Sequence, residues 1–160
     1  MIRPATATDC AAVTAIVQSA YSIYLSRMAK PPGPMFDDYA ARIADGTVSV
    51  LEDACGEVVA MIVLLQRSDH LLLDNIAVRP DRQGRGCGRR LIAFAETEIR
   101  RVSLPELRLY THQAMTENIA LYKRLGFEET GLRHQNGYDR VFMRKRPSQK
   151  IFHNTYYATF

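Results

Sequence analysis

The sequence predicts a mixed α/β fold built on one central sheet, and three observations carry that reading. A stretch near the N-terminus repeats its apolar residues at helical spacing. Three strand-like runs then follow between residues 47 and 78, separated only by short turns. A glycine-rich turn at 83–88 leads from the last of these runs into another helical stretch and a further strand. A strand–helix–strand unit requires parallel strands and a right-handed crossover, whereas the tight turns around it require antiparallel neighbours. The expected order is βααβββαβαββ: a mixed, mostly antiparallel sheet with helices on both faces.

Each element has its own signal. Ile2 to Ala5 reads as a short strand interrupted by Pro4, and Thr8 or Asp9 suits a helix N-cap. Val13, Ile16, Val17, Ala20 and Tyr21 share one face of a helix over 9–25. Lys30-Pro31-Pro32-Gly33-Pro34 is a loop, because proline stops a helix and restricts the residue before it. Phe36, Tyr39, Ala40 and Ile43 return to helical spacing and predict a second, short helix before Asp45-Gly46. Thr47–Glu52 is alternating and β-branched, and Val58–Gln66 is a nearly continuous apolar run suited to a central strand. His70–Val78 is the third strand of this group, and Arg79-Pro80 ends it. Leu91, Ile92, Ala95 and Ile99 place a helix over about 88–101, with Pro105 beyond it. Leu107–Thr111 is a strand and 116–124 a short helix, closed by Gly126 in a left-handed cap. Phe127–Arg133 and Tyr138–Lys145 form a terminal hairpin around Asn136-Gly137. Residues 1–146 are expected to form a single domain, and 147–160 a tail whose role the sequence leaves open.

The 160 residues suit one domain, and their apolar and charged fractions, 47% and 24%, are those of a globular chain rather than a disordered one. No apolar run is long enough to span a membrane, and the N-terminus lacks the apolar core of a signal peptide. Cys10, Cys55 and Cys87 cannot all pair and lack metal-ligand spacing, so reduced thiols, no metal and a cytoplasmic location are expected. The charge is uneven. Residues 1–70 hold 5 basic and 8 acidic side chains, and residues 71–160 hold 16 and 9. An anionic partner would therefore meet the C-terminal half, be it nucleic acid or a phosphorylated cofactor, and a merely solvated basic face explains the count equally well.

The strongest local signal is Gln83-Gly84-Arg85-Gly86-Cys87-Gly88, between a strand and a helix and flanked by Arg79, Arg82, Arg89 and Arg90. Glycines let a backbone approach a ligand closely, and a helix start offers unpaired N–H groups, a combination that fits a pyrophosphate. A phosphate-binding P-loop would need Gly-Lys-Ser/Thr, and here Arg89-Arg90 follow the last glycine. A dinucleotide fold would need Gly-x-Gly-x-x-Gly at the first strand–helix turn. A plain structural turn is the remaining alternative.

The run resembles the coenzyme A loop of the GNAT acyltransferases, Gln/Arg-x-x-Gly-x-Gly/Ala. Asn75-Ile76-Ala77-Val78-Arg79-Pro80-Asp81-Arg82 resembles the strand and bend before that loop. Asn118-Ile119-Ala120-Leu121-Tyr122-Lys123-Arg124-Leu125-Gly126-Phe127 resembles the family's second signature, Asn-x-x-Ala-x-x-Leu-Tyr-x-x-x-Gly-Phe, with one residue fewer between Asn and Ala. Over about residues 1–146 the chain is thus identified as similar to GNAT-family N-acetyltransferases.

That resemblance implies a strand 70–78 that bulges and splays from strand 107–111, leaving a gap for the acyl-carrying arm of acetyl-CoA, the co-substrate. It implies backbone pairing of that arm with Ile76, Ala77 and Val78, pyrophosphate binding by the amides of Gln83, Gly84, Arg85, Gly86, Cys87, Gly88 and Arg89, and contact of the arm with Asn118. Arg79, Arg82 and Arg124 are candidates for the outer phosphate. Tyr122 would donate its hydroxyl proton to the leaving thiolate, the alternative being a core aromatic. Asp74 would take the proton from the acceptor amine, with His112 and Glu117 as runners-up; a capping or solvent-facing Asp74 is equally consistent with the alternation. His70, His134 and His153 are expected at the surface, and Cys87 as a small filler. The acceptor pocket is expected from Tyr21, Tyr24, Arg27, Met28, Lys30, Met35, Phe36 and Tyr39 with the terminal hairpin, for a small amine or a peptide N-terminus. Core packing explains most of those side chains as well.

The resulting expectation is direct transfer of an acetyl group from acetyl-CoA to a primary amine, in a ternary complex and without metal, membrane or nucleic acid. An acyl-CoA-binding sensor or partner-binding module without catalysis is the alternative. A nucleic-acid-binding domain ranks last, because the arginines gather at the glycine turn rather than along an aromatic-interleaved stripe. A homodimer is left open.

Overall fold

The computed structural model describes residues 1–147, so the tail expected at 147–160 lies, apart from Pro147, outside the described residues. Seven strands form one sheet: β1 (Ile2–Pro4), β2 (Val48–Glu52), β3 (Val58–Gln66), β4 (Leu71–Val78), β5 (Leu107–His112), β6 (Glu128–Gln135) and β7 (Tyr138–Lys145). Their spatial order is β1-β2-β3-β4-β5-β7-β6, antiparallel throughout except for the β4–β5 pair. Four helices cover it: α1 (Cys10–Tyr21), α2 (Tyr39–Ala44), α3 (Cys87–Arg101) and α4 (Thr116–Arg124). The predicted mixed sheet and element order are observed.

Two apolar layers hold the helices. On one face Leu91, Ile92, Ala95 and Ile99 of α3 pack with Leu71, Leu73, Leu107 and Leu109. On the other, Val13, Ile16 and Val17 of α1 pack with Val48, Val50, Met61 and Val63. Each fully buried aliphatic side chain is worth about 1.5–3 kcal/mol over an exposed one. The spacing that marked these positions in the sequence is therefore also what fixes the helices on the sheet.

Three boundaries differ from expectation, each for a local reason. The first helix stops at Tyr21 and tightens into a 3-10 turn over Ser22–Tyr24. The apolar spacing continues through that turn, so periodicity alone runs past the end. Phe36 belongs to a separate 3-10 turn, Gly33–Phe36, and α2 begins only at Tyr39, where the Asp38 side chain caps Ala41. Asp9 does not cap α1 through its side chain; its carboxylate instead accepts from Arg3 and from the Thr6 amide. The hairpin turn is as expected, with Asn136 and Gly137 both at positive φ, +53° and +80°. Gly126 follows α4 at φ +89°.

Candidate active site

The site begins with one extra residue. Val63 of β3 pairs with Asn75 and the next residue, Leu64, pairs with Leu73, so Asp74 stands in a bulge with no partner. A bulge reverses the face taken by the residues after it. Leu71 and Leu73 therefore join the α3 layer, while Ala77 joins the α1 layer. The parallel pairing of β4 with β5 ends at Leu73–Leu109. Beyond it the strands part, leaving Asp74–Val78 on one side and Tyr110–His112 on the other without partners across the gap.

A cavity of about 210 Å³ opens on the α1 side of this gap, beneath the proline loop and beside β7. Its polar lining centres on Arg42 of α2, which pairs with Asp74 at 2.9 Å and with Asp37 at 3.0 Å. The Tyr110 hydroxyl donates to the other oxygen of Asp74 at 3.2 Å. Burial pushes the Asp37 carboxyl above its ordinary range; Arg42 opposes that shift and Asp74 adds to it. His112 also lines the cavity, and its Nδ1 accepts from the Ala114 amide at 3.1 Å. In the neutral ring the proton then sits on Nε2, which makes His112 a donor rather than a base.

A longer groove of about 790 Å³ runs between the end of α1 and α4, along Ile76–Val78 and the glycine turn to the start of α3. Gly86 caps the helix at φ +81°, a left-handed conformation that glycine adopts without strain. The N–H groups of Cys87, Gly88 and Arg89 in the first turn have no intrahelical acceptor, and all three residues line this end of the groove. Among the arginines there, Arg79 is held by Asp81 and Glu57, and Arg82 by Asp53. Arg89 and Arg124 line the groove with no carboxylate partner among the described residues.

Cavity and groove share Tyr21, Ile76, Asn118 and Tyr122. Tyr122 is 6% exposed and packs edge-on against Phe127, with ring centroids 5.6 Å apart. Its hydroxyl has no hydrogen-bond partner among the described residues, and no fully enclosed side-chain polar atom there is left unsatisfied. The hydroxyl therefore opens on the junction. Burial holds this phenol above its ordinary range, so it is a proton donor at neutral pH.

The sequence-predicted residues largely converge here. Asp74, Asn118 and Tyr122 line the cavity, and Ile76, Ala77, Val78, Gln83, Gly84, Gly86, Cys87, Gly88 and Arg89 line the groove. Arg85 is exposed on the loop and is not part of the lining. Glu117 lies on the groove side, gripped by Arg27 at 2.7 Å and held below the usual carboxylate range by it, which does not suit a base. Of the aromatic and methionine group, Tyr21 and Met28 line the cavity and Tyr24 the groove. Tyr39 is buried behind Asn75, and Phe36 is 73% exposed. His70 and His134 pair with Asp69 and Asp139, and His153 lies outside the described residues. Sequence reasoning missed Asp37, Arg42, Tyr110 and Arg140. No short motif joins them; they meet only because the bulge aims Asp74 at α2.

Residues 44–129 match the family model for an acetyltransferase (GNAT) domain, a stretch that includes the bulged strand, the glycine turn and Tyr122. The chain belongs to the GNAT acetyltransferase family. Solved GNAT structures agree over nearly the whole chain. The ribosomal-protein-S18-alanine N-acetyltransferase of Escherichia coli is 27% identical with a TM-score of 0.72, covering 92% of this chain and 94% of its own. The yncA protein of Salmonella typhimurium, solved with its cofactor acetyl-CoA, is 25% identical with a TM-score of 0.71, covering 93% and 94%. The PaiA N-acetyltransferase of Thermoplasma acidophilum, in complex with coenzyme A, shares the fold at a TM-score of 0.75 and 16% identity, covering 91% and 98%. No curated protein matches the sequence significantly. Among the described residues no helix is long and apolar enough to cross a membrane, and no cluster of three His, Cys, Asp or Glu could hold a metal.

Proposed function

We propose that this GNAT acetyltransferase moves the acetyl group of acetyl-CoA onto the primary amine of an acceptor bound in the cavity. The observation that carries the reading is the meeting of cavity and groove at Tyr122, in the gap where β4 leaves β5. A long phosphorylated thioester laid along the groove would bring its diphosphate to the first turn of α3 and its acyl carbon to the junction. The arm pairs there with the open edge of Ile76, Ala77 and Val78 as an added strand, and Asn118 flanks it. Arg89 and Arg124, both without carboxylate partners among the described residues, are the cations best placed for its phosphates.

The chemistry then follows from the lining. The acceptor enters as an ammonium and must lose a proton before it can attack. Asp74 receives that proton, directly or through water; its carboxylate keeps lone pairs beyond those used by Arg42 and Tyr110. The amine nitrogen bonds to the thioester carbonyl carbon, the carbon–sulfur bond breaks, and the electron pair leaves on sulfur. Tyr122 donates its hydroxyl proton to that thiolate and is restored by the second proton that the nitrogen sheds as the amide forms. Holding both reactants in one gap supplies the orientation that a bimolecular encounter lacks.

A thermal melt with and without acetyl-CoA, followed by a thiol-release assay, tests this. Ligand at 100 times its Kd adds about 2.7 kcal/mol, a shift of roughly 5–11 °C for a chain of this size. No shift at millimolar acetyl-CoA overturns the reading. A shift without thiol release on any amine would make the chain a sensor of the coenzyme.

A further inference from the structure

Resting on the acetyl-transfer reading, we infer that the acceptor is a small amine that also carries a carboxylate: an amino acid, anchored by Arg140 and His112 at one end and by Asp74 and Asp37 at the other.

Arg140 is the cation of the cavity that the protein itself leaves unneutralised. Its guanidinium lies 4.4 Å from the Tyr110 ring centroid and 5.6 Å from that of Tyr138, so it packs against two aromatic rings. Its one hydrogen bond among the described residues is to a neutral group, the Gln135 side-chain oxygen at 3.0 Å. It has no carboxylate partner there, and residues 148–160 contain no Asp or Glu. Arg42, by contrast, serves two carboxylates. A rigid guanidinium with free donors on a cavity wall is matched by a planar anion that can take two hydrogen bonds.

A second donor faces the same place. His112 pairs directly across from Arg140 in the β5–β7 ladder, so the two side chains share one face of the sheet. Both line the cavity, and the Ala114 amide on Nδ1 leaves the His112 proton on Nε2. Arg140 and His112 thus offer two neighbouring donors.

The opposite end carries the opposite charge. Asp37 and Asp74 share one arginine, which leaves one negative charge in surplus and suits an ammonium. Tyr110 measures the interval: its hydroxyl is on Asp74 and its ring face is under Arg140. The two charged ends therefore flank one tyrosine side chain, within reach of a short amino acid that makes a hydrogen bond at each end. The cavity, at about 210 Å³, is below the ~300 Å³ where drug-sized sites begin. A peptide N-terminus carries an amide where the amino acid has its carboxylate, and would leave Arg140 without an anion.

The transfer balances without further reagents. The amino group loses one proton to Asp74, forms the new C–N bond and sheds a second proton, which restores the Tyr122 hydroxyl. The thioester C–S bond breaks, sulfur takes the proton of Tyr122, and the products are an N-acetyl amino acid, free thiol and one released proton. The carboxylate is unchanged.

The test is thiol release with the twenty amino acids, each beside its carboxamide and its decarboxylated amine, with acetyl-CoA binding followed separately by thermal shift. At least one amino acid should exceed both of the counterparts that lack its carboxylate by about 10–100-fold in kcat/KM. In Arg140→Gln that preference should vanish, mainly through KM for the amino acid, and Arg140→Lys should restore part of it. The acetyl-CoA shift of both variants reports that they are folded. Equal or better turnover of amides or decarboxylated amines overturns the inference, as does a preference that survives Arg140→Gln. A protein that binds acetyl-CoA but accepts no amino acid overturns it too. Absence of the acetyl-CoA shift is a different outcome, because it removes the parent reading first.

Discussion

The Tyr21 hydroxyl donates to Asn75 Oδ1 at 2.6 Å, at a point where Asn75 is 2% exposed. The Asn75 amide in turn donates to the Tyr39 hydroxyl at 2.8 Å, and Tyr39 donates to the Pro34 carbonyl at 2.8 Å. One buried relay therefore joins α1, the bulged strand, α2 and the proline loop behind the acceptor cavity. Asn75 comes directly after the bulge, and the bulge turns its side chain into this layer. A buried amide of this kind is costly to leave partly paired, so the relay holds the strand and loop in one arrangement.

Asn75→Leu keeps the branched shape and the heavy-atom count and removes the relay. It leaves the Tyr21 hydroxyl only its longer contact to the Ile76 carbonyl, at 3.4 Å. The expected loss is about 1–3 kcal/mol, or roughly 2–12 °C in Tm. The acceptor kcat/KM should fall further than acetyl-CoA binding, because Asn75 lines the cavity alone and only its partner Tyr21 reaches the groove. A variant as stable and as active as the parent would show the relay to be incidental.

Tyr122→Phe separates chemistry from binding. The hydroxyl opens on the junction and has no partner among the described residues, so its loss should barely change stability. General acid catalysis is worth roughly 10²–10⁴-fold, and kcat should fall by that much when chemistry limits the rate. The thermal shift with acetyl-CoA should persist. An unchanged kcat under those conditions would remove Tyr122 from the mechanism.

The glycine turn and the helix carrying Tyr122 were legible because both are contiguous in sequence. So were the two apolar layers, whose spacing reports burial directly. The bulge was expected only through family resemblance, since no local pattern distinguishes Asp74-Asn75 from ordinary alternation. Arg42 and Arg140 were invisible for a physical reason: one sits on a six-residue helix and the other on a late strand, and their roles come from a carboxylate and a ring distant in the chain. The second signature also shows the limit of a motif. Ala120 and Leu121 are adjacent where the pattern has two residues between them, so, counted back from Tyr122, the family asparagine falls at Met115, yet Asn118, one helical turn later, is the residue that lines both cavity and groove.

The glycine turn is best tested at Gly88, where shape and strain can be told apart. Gly86 sits at φ +81°, so any side chain there strains the backbone. Gly88 is helical, and an added Cβ meets nothing within 4 Å, so Gly88→Leu should fold normally. Its side chain would nevertheless project into the groove. The expected result is a Tm for the free protein no lower than the parent's, with the 5–11 °C shift from acetyl-CoA lost. Retention of that shift would put the diphosphate elsewhere.

The acid side of the pH profile should belong to Asp37. Burial raises its pKa, and the Asp74 charge pushes in the same direction against the pull of Arg42. As pH falls, Asp37 therefore takes a proton above the usual carboxylate pKa of about 3.9, and the negative surplus that attracts an ammonium disappears. The acid limb of kcat/KM should lie above that ordinary value. In Asp37→Asn the limb should move down toward it, with a lower plateau. Stability runs the other way. A carboxyl with a raised pKa in the folded state contributes stability at low pH and loses it as pH rises through that pKa, so its ionised form weakens the fold. Asp37→Asn, neutral at every pH, should melt at pH 7 no lower than the parent. A large drop in Tm, or an acid limb that does not move, would show that Asp37 serves the structure rather than the acceptor.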